Sequence, residues 1–533
     1  MERRRIAGWT VPSIGDVLFV SIFLRTLSMG NQLLGDGDTG WHIITGESII
    51  GAMRVPRMDI LSHTAYGTPW TTHAWLSEVL FAWLNRLMGL NGLVLAASLV
   101  ISLTFFFLYK YMLYRRVGPV TAAMFTVLAA SVSSVHWLVR PHIFSFGLTL
   151  AFIAALDIHQ RGSRSYLKYL PLLMVIWVNL YGGFALGLVL ISLYLAGNTL
   201  VWAVSAERRA ASAAKATPLA ITLAAALAAS LVNPNGPRIL TFSILFPAQK
   251  YITENILDWR YPDFHVMRAF EFMLLFYFAV FVLSRKKPDL FELLIAGLFL
   301  HMSLFATRFV PLFAIAVTPM AAVRLADAVD GILERVTGPA AEVAEGIRIR
   351  LSGLAARIAS MEARLDGRHV WLLVTVAVVF VIGLGGGMVG EAKVMDYRFQ
   401  RWRFPVDAMD FAMKNGIKGR MFNNDSWGGY ILYRSYPRYR VFFDGRTDMY
   451  GEHFLDEYLK VSRVRLGFED VLDRYKVDWV LYDTGSPLCR ILEAGGGWYV
   501  VYSDKTAEIL LRDTPANRGL IERYPHVKLA ERH

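Results

Sequence analysis

Two carboxylates, Asp36 and Asp38, stand one residue apart in the run Gly35-Asp36-Gly37-Asp38-Thr39-Gly40-Trp41-His42. Spaced i, i+2 among glycines, they can turn both groups toward one substrate or one cation, because Gly35, Gly37 and Gly40 give the backbone conformations closed to other residues. Asp and Gly also crowd ordinary surface turns, so the pair alone admits either reading. The same region adds His42, Asp59, His63, His73 and Glu78. Carboxylates mixed with imidazoles could hold a divalent cation such as Mg or Mn, with Asp36 and Asp38 as ligands, although no tight spacing such as His-x-x-x-His occurs in this stretch.

Charge of the opposite sign falls at Arg25, in the second half of the first apolar run, and at Arg140 and Arg308, at the ends of apolar runs. Guanidinium forks suit phosphate oxygens, and interfacial anchoring would put arginines in the same places. Two more polar motifs lie toward the C-terminus, Asn423-Asn424-Asp425-Ser426-Trp427-Gly428-Gly429-Tyr430 and Asp444-Gly445-Arg446-Thr447-Asp448. Each follows a strand-like run, which places Trp427, Tyr430, Asp444 and Arg446 at loop ends on one sheet edge, where α/β folds bind ligands. The alternative is that Asp444 and Arg446 pair with each other and shape a turn.

The elements that must carry these groups follow from composition. Of 533 residues, 55% are hydrophobic and 18% charged, and the mean hydropathy is +0.40; a soluble domain carries about a quarter charged residues. The chain therefore reads as a polytopic α-helical membrane protein. Its net charge of +12 gathers at the ends of apolar runs, where positive charge sets orientation, so nucleic acid is not an expected partner and membrane lipid is. Cys489 is the single cysteine, which excludes an internal disulfide, a cysteine metal site and paired-thiol redox chemistry. Met1-Glu2-Arg3-Arg4-Arg5 leads into an apolar run without a small-residue cleavage site, the pattern of a retained first span.

A span needs about 20 mainly apolar residues, and on that rule about 11 transmembrane helices are expected: 12–34, 91–113, 119–138, 141–158, 168–181, 183–204, 216–233, 269–284, 288–306, 309–324 and 369–389. With all of them crossing, the basic clusters at Arg3 to Arg5, Lys110 with Arg115 and Arg116, Arg161 with Arg164 and Lys168, Arg208 with Arg209 and Lys215, Arg285 to Lys287, and the arginines of 324–368 share one side. The positive-inside rule makes that side cytoplasmic, N-terminus included. Outside lie the first loop, 35–90, with an amphipathic interfacial helix expected over 72–90 from Trp75, Val79, Ala82, Trp83 and Leu87; a second long loop, 233–268; and everything beyond 391. Segment 324–368 is a charged cytoplasmic stretch with an apolar stripe at Leu351, Leu354, Ile358, Met361 and Leu365. Residues 391–533 have the composition of an α/β domain, with strands expected at 420–424, 439–444, 478–483, 498–503 and 507–512 and helices at about 405–415, 450–462 and 468–475. The expected organisation is a transmembrane domain, 1–390, followed by an extracytoplasmic α/β domain, 391–533.

In content and order, Asp36-x-Asp38-x-x-Trp41-His42, Pro56-x-x-Asp59, Pro69-Trp70 and His73-x-Trp75-Leu76 resemble the bacterial polytopic glycosyltransferases of the GT-C superfamily. Arg140-Pro141-His142, Asn179-Leu180-Tyr181-Gly182-Gly183-Phe184, Asn233-Pro234 and Arg308-Phe309-x-Pro311 continue the similarity, and Ser426-Trp427-Gly428-Gly429-Tyr430 with Asp444-Gly445-Arg446 extend it to the C-terminal domain. The resemblance implies an integral enzyme of the bacterial cytoplasmic membrane with a GT-C-like fold. Such an enzyme takes a sugar from a polyprenyl-phosphate or polyprenyl-diphosphate carrier and transfers it on the outer face to a glycan, lipid or protein acceptor. It further implies that Asp38, with Asp36, is catalytic and that Arg308 meets the carrier phosphate, with Arg140, His42, Asp59, His73 and Asn179 as further binding candidates. An inverting reaction suits these parts, with a carboxylate as general base and arginine at the leaving phosphate; a divalent cation could do the latter work instead. Two other classes stay open. A transporter or flippase for a lipid-linked or anionic solute would show internal repeats and midplane polar residues, which are not evident here. A non-catalytic glycan-assembly protein would keep the outer domain with an inert acid pair.

Overall fold

A computed structural model describes residues 11–162, 164–245, 249–335, 337, 339–365 and 369–525. The basic N-terminal residues Arg3 to Arg5 lie outside them. Every apolar run named above contains a helix. Among the described residues, six helices are long and apolar enough to cross a membrane: Leu90–Tyr114, Pro119–His136, Ile143–Gln160, Gly182–Val204, Arg209–Ser230 and Thr307–Leu333. Glu345–Leu365 and Val370–Leu384 pass the same test only as a pair, bent by 61°. Ile14–Ser28, Leu167–Leu180, Arg268–Leu283 and Leu290–Phe305 are shorter. Each has fewer than the roughly 17 residues at the lower end of the spanning range, so length by itself supports six crossings of the predicted set.

The chain divides into two compact units, one of residues 1–28, 95–137 and 142–388, the other of 29–94, 138–141 and 389–533. The loop 35–90, grouped by sequence with the membrane helices, falls in the same unit as the C-terminal residues, and so does a four-residue stretch containing Arg140.

In the first unit, charges within helices find one another. Arg115 Nη2 lies 2.8 Å from Glu292 Oε1, Arg324 Nη2 lies 2.5 Å from Glu292 Oε2, and the Tyr111 hydroxyl donates to Asp157 at 2.8 Å. Mutual pairing is the usual way for ionisable groups to persist in such helices. It also corrects a predicted boundary. The span expected to stop at 324 runs on as Val310–Leu333, because Arg324 is buried and paired rather than marking an end. The predicted amphipathic segment 324–368 is therefore shared between that helix and Pro339–Leu365, on which Leu354 and Met361 are exposed.

The second unit is built on a mixed four-stranded sheet. Its order is Arg420–Asn423, Val477–Asp483, Ala507–Arg512, Trp498–Ser503, the first pair parallel and the others antiparallel. The predicted strand at 439–444 is not in the sheet. Its backbone is extended but pairs with the first outer loop, His63 N–H donating to Val441 O at 3.0 Å and Val441 N–H to Leu61 O at 3.3 Å, while Asn423 Oδ1 accepts from Phe442 N–H at 2.8 Å. Helices Val406–Asn415, Gly428–Ser435, Thr447–Ser462, Phe468–Arg474 and Pro487–Gly495 surround the sheet. One core joins Trp41, Leu61 and Trp70 of the first loop to Trp427, Tyr430 and Trp479. The helix expected to lie in the interface, Trp75–Met88, buries Ser77, Glu78, Phe81 and Ala82 and leaves Trp83 and Leu87 exposed. Gly46 of a second helix, Asp38–Ala52, permits that packing: a Cβ there would stand 2.0 Å from Glu78 O.

Candidate active site

The acid pair sits at the start of a helix rather than in a loop. Gly37 caps the helix Asp38–Ala52, Asp38 is in its first turn, and Asp36 Oδ1 accepts the Asp38 N–H at 2.8 Å. A carboxylate there meets the positive end of the helix dipole. The surrounding glycines are needed for close approach and not for unusual dihedrals, since Gly37 has φ −63°. A Cβ on Gly37 would lie 2.2 Å from Ser426 O, one on Gly40 2.0 Å from Gly429 O, and one on Gly429 2.1 Å from Gly37 O. The acid-bearing segment and the Ser426-Trp427-Gly428-Gly429-Tyr430 motif therefore meet backbone to backbone, which explains why the two glycine-rich motifs occur together. Trp427 and Tyr430 are core residues beneath that contact, their side chains buried.

Arg140 closes the pair. Its Nη1 lies 2.8 Å from Asp36 Oδ2 and its Nη2 3.0 Å from Asp38 Oδ2, and the three side chains keep 19%, 22% and 15% of their surface exposed. Burial, with the Asp36 carboxylate beside it, pushes the Asp38 carboxyl up to about 7, even though Arg140 pulls the other way. The group is thus poised to take or give a proton near neutrality.

Against this site lies a second, closed cluster. Arg446 Nη1 is 2.6 Å from Asp59 Oδ1 and Nη2 is 2.7 Å from Asp444 Oδ2, and all three side chains are fully buried. The guanidinium also stacks over Trp70, 4.8 Å from the ring centroid. The residue between the two anchors, Gly445, has its Cα against the acid site: a Cβ would stand 2.0 Å from Asp38 Oδ1. The Asp444-Gly445-Arg446 motif is accordingly a brace held by Asp59, with a glycine where Asp38 passes. Asp59, Asp444 and Arg446, expected as ligand-binding candidates, are spent on one another.

His42 Nδ1 is 3.2 Å from Glu78 Oε1, which also accepts from the Thr72 hydroxyl at 2.6 Å. Burial pushes Glu78 up to about 8 and holds His42 well below its usual value, Arg140 and the nearby His73 adding to the latter shift. The pair is then a neutral hydrogen bond on the face of Asp38–Ala52 that packs inward. His63 is half-buried and donates from Nε2 to Met421 O at 2.9 Å. Burial lowers it to about 4.

A divalent cation does not fit the acid pair as it stands. Among the described residues no three His, Cys, Asp or Glu groups converge on one point, and both carboxylates already share one guanidinium.

The first unit holds the other predicted anion group. Arg308, half-buried just before the helix Val310–Leu333, hydrogen-bonds the Tyr181 hydroxyl through Nη2 and stacks over Trp259 at 4.5 Å. Asn179 and Asn233 stitch their two segments together, Asn179 Nδ2 donating to Val232 O at 2.7 Å and Asn233 Nδ2 to Val178 O at 2.9 Å. Asn179 is a structural tie in this arrangement. The predicted loop 233–268 is not bare, for it contains the helices Arg238–Leu245 and Lys250–Asn255 and the turn Leu257–Trp259 that supplies Trp259.

No protein-family model matches the chain, and no curated protein matches it in sequence. Solved structures do match in fold. The Archaeoglobus fulgidus oligosaccharyltransferase AglB, in complex with an inhibitory peptide and a dolichol-phosphate, superposes with a TM-score of 0.51 at 13% identity, over 94% of this chain and 75% of AglB. The fold is of the GT-C type. The apo form of the same archaeal enzyme gives 0.51 at 12% identity, over 93% and 74% of the two chains. ArnT from Cupriavidus metallidurans is also found, at a TM-score of 0.47 and 14% identity, over 93% and 97%.

Within this GT-C fold, the motifs do not reveal which of these residues touch. Arg140 was named as a phosphate ligand, yet both its Nη groups serve Asp36 and Asp38. Gly445 and Thr39 were not singled out. Thr39 donates its hydroxyl to Val139 O at 2.8 Å and so ties the acid segment to the stretch that carries Arg140. The local signal was present in the repeated glycines of both motifs, but pairing them needs the fold.

Proposed function

We propose that this chain is an integral membrane glycosyltransferase. It takes a sugar from a polyprenyl-phosphate or polyprenyl-diphosphate carrier and transfers it, with inversion, to a glycan, lipid or protein acceptor on the outer face of the bacterial cytoplasmic membrane. The observation that carries this reading is the partly open Asp36–Arg140–Asp38 constellation at a helix start, in a GT-C fold. In the proposed reaction an acceptor oxygen or nitrogen attacks the anomeric carbon, its proton passes to Asp38, and the bond to the carrier phosphate breaks with the electron pair leaving on phosphate. Each carboxylate oxygen held by Arg140 keeps a second lone pair for this work. Arg308, its guanidinium oriented by Tyr181 and Trp259, is the group assigned to the carrier phosphate, since a planar fork suits phosphate oxygens. The AglB structure, which contains a dolichol-phosphate, supports a lipid-linked donor. The distribution of basic residues supports eleven crossings, a cytoplasmic N-terminus and an extracytoplasmic domain from 391, with 1–390 as the membrane domain.

The test is to incubate purified protein with a panel of polyprenyl-linked sugars and follow release of the carrier. Asp38→Asn keeps the size and removes the base, so turnover should fall on the order of 1,000-fold, within the range that a general acid or base contributes. Unchanged turnover in that variant would overturn the assignment.

A further inference from the structure

The geometry points to Arg140 as a built-in cation that holds the acid pair in place of a divalent metal ion. This rests on the proposed glycosyl transfer only for its catalytic consequence; the cation claim itself concerns the two carboxylates and the arginine. A guanidinium and a metal ion ask for the same thing here, two carboxylate oxygens converging on one positive centre. Arg140 has taken both, at 2.8 and 3.0 Å. Of the remaining oxygens, Asp36 Oδ1 already accepts the Asp38 N–H at 2.8 Å, and Asp38 Oδ1 faces the backbone of Gly445. A metal ion bound between the two Oδ2 atoms would compete with the arginine for them.

Arg140 is also fixed before any ligand arrives. The residue ahead of it is tied at both ends to the acid segment, Val139 N–H donating to Leu33 O at 2.8 Å and Val139 O accepting the Thr39 hydroxyl at 2.8 Å. Arg140 N–H donates to Leu138 O at 2.8 Å, tightening the turn that presents the side chain. Those bonds lie on either side of Asp36 and Asp38 in the chain, so guanidinium and carboxylates are positioned by one small framework. Arg140 is on this account a positioning residue. It keeps two carboxylates, which would otherwise repel, aimed at one point, and it leaves the phosphate chemistry to other groups.

Two measurements on full-length protein in detergent test this. Manganese binding is followed by electron paramagnetic resonance on the wild type and on Asp36→Asn. The wild type should show no stoichiometric site; one Mn ion per chain that disappears in Asp36→Asn overturns the proposal. This readout needs no turnover, so it stands even where no tested sugar is transferred. Where transfer is observed, chelator should leave the wild-type rate unchanged. Arg140→Ala should then lose on the order of 100-fold in turnover, as when one preorganised donor is removed, and added guanidinium or Mn should restore part of it. A chelator-sensitive wild type, an undiminished Arg140→Ala, or a loss that neither cation restores overturns the positioning role.

Discussion

Two clusters in the second unit have the same composition, one arginine between two aspartates, and opposite exposure. Asp36, Arg140 and Asp38 keep between 15% and 22% of their side-chain surface open, whereas Asp59, Arg446 and Asp444 keep none. The closed cluster has every charge-bearing atom matched by the protein, and Asp59 also accepts the Leu61 and Ser62 N–H groups at 3.0 and 3.1 Å. It has nothing left to offer a substrate. The open one has a carboxyl displaced toward neutral pH and an exposed edge. Chemical potential at such sites is thus decided by which lone pairs remain accessible, and the residue types alone do not separate the brace from the reactive pair.

The sharpest way to break this comparison is to remove one charge from each cluster. Asp38→Asn should abolish transfer on the order of 1,000-fold while leaving the thermal unfolding midpoint nearly unchanged, because the site is partly solvated. Arg446→Leu should do the reverse first. It strands two buried carboxylates, a loss of about 3–5 kcal/mol, visible as a large drop in midpoint or in folded yield. Equal effects of both variants on stability would erase the distinction. A smaller effect is expected where the clusters touch. Gly445→Ala places a methyl on Asp38 and should lower turnover roughly 100-fold, the cost of about 1 Å of misplacement, with KM for the donor little changed. The smallest effect is in the pH profile. A base must be deprotonated, so turnover should rise with pH through about 7, where Asp38 loses its proton. Asp36→Asn removes a neighbouring negative charge that raises Asp38, and the midpoint of the residual activity should move to lower pH; a midpoint moving upward would contradict the assigned cause.

Much of the architecture was legible from local pattern. Apolar runs of sufficient length became helices because burying their side chains and pairing their backbone are local demands, met within each run. Strands at 420–424, 478–483, 498–503 and 507–512 agree within a residue or so, since short runs rich in β-branched and aromatic residues are a local signal. The misreadings share a cause. Arg324 looked like a boundary because its partner Glu292 is 32 residues away. The run at 439–444 looked like a sheet strand because it is rich in aromatic and β-branched residues, but its hydrogen bonds go to the loop 35–90. The helix Asp38–Ala52 was hidden by Gly40, Gly46 and Gly51, residues that weaken a helix in isolation; Gly40 and Gly46 are kept here by backbone contacts made elsewhere.

The sequence by itself determined a polytopic helical chain with an α/β end, an acid pair after the first apolar run, and the motifs that resemble the GT-C superfamily. Only the tertiary structure decided what those residues are paired with. Arg140 reaches Asp36 across 104 positions and Arg446 reaches Asp59 across 387. Such pairings come from the packing of whole elements, and no periodicity or spacing within a segment can encode them. The division into one open and one closed cluster, on which the proposed chemistry depends, is therefore a property of the folded unit.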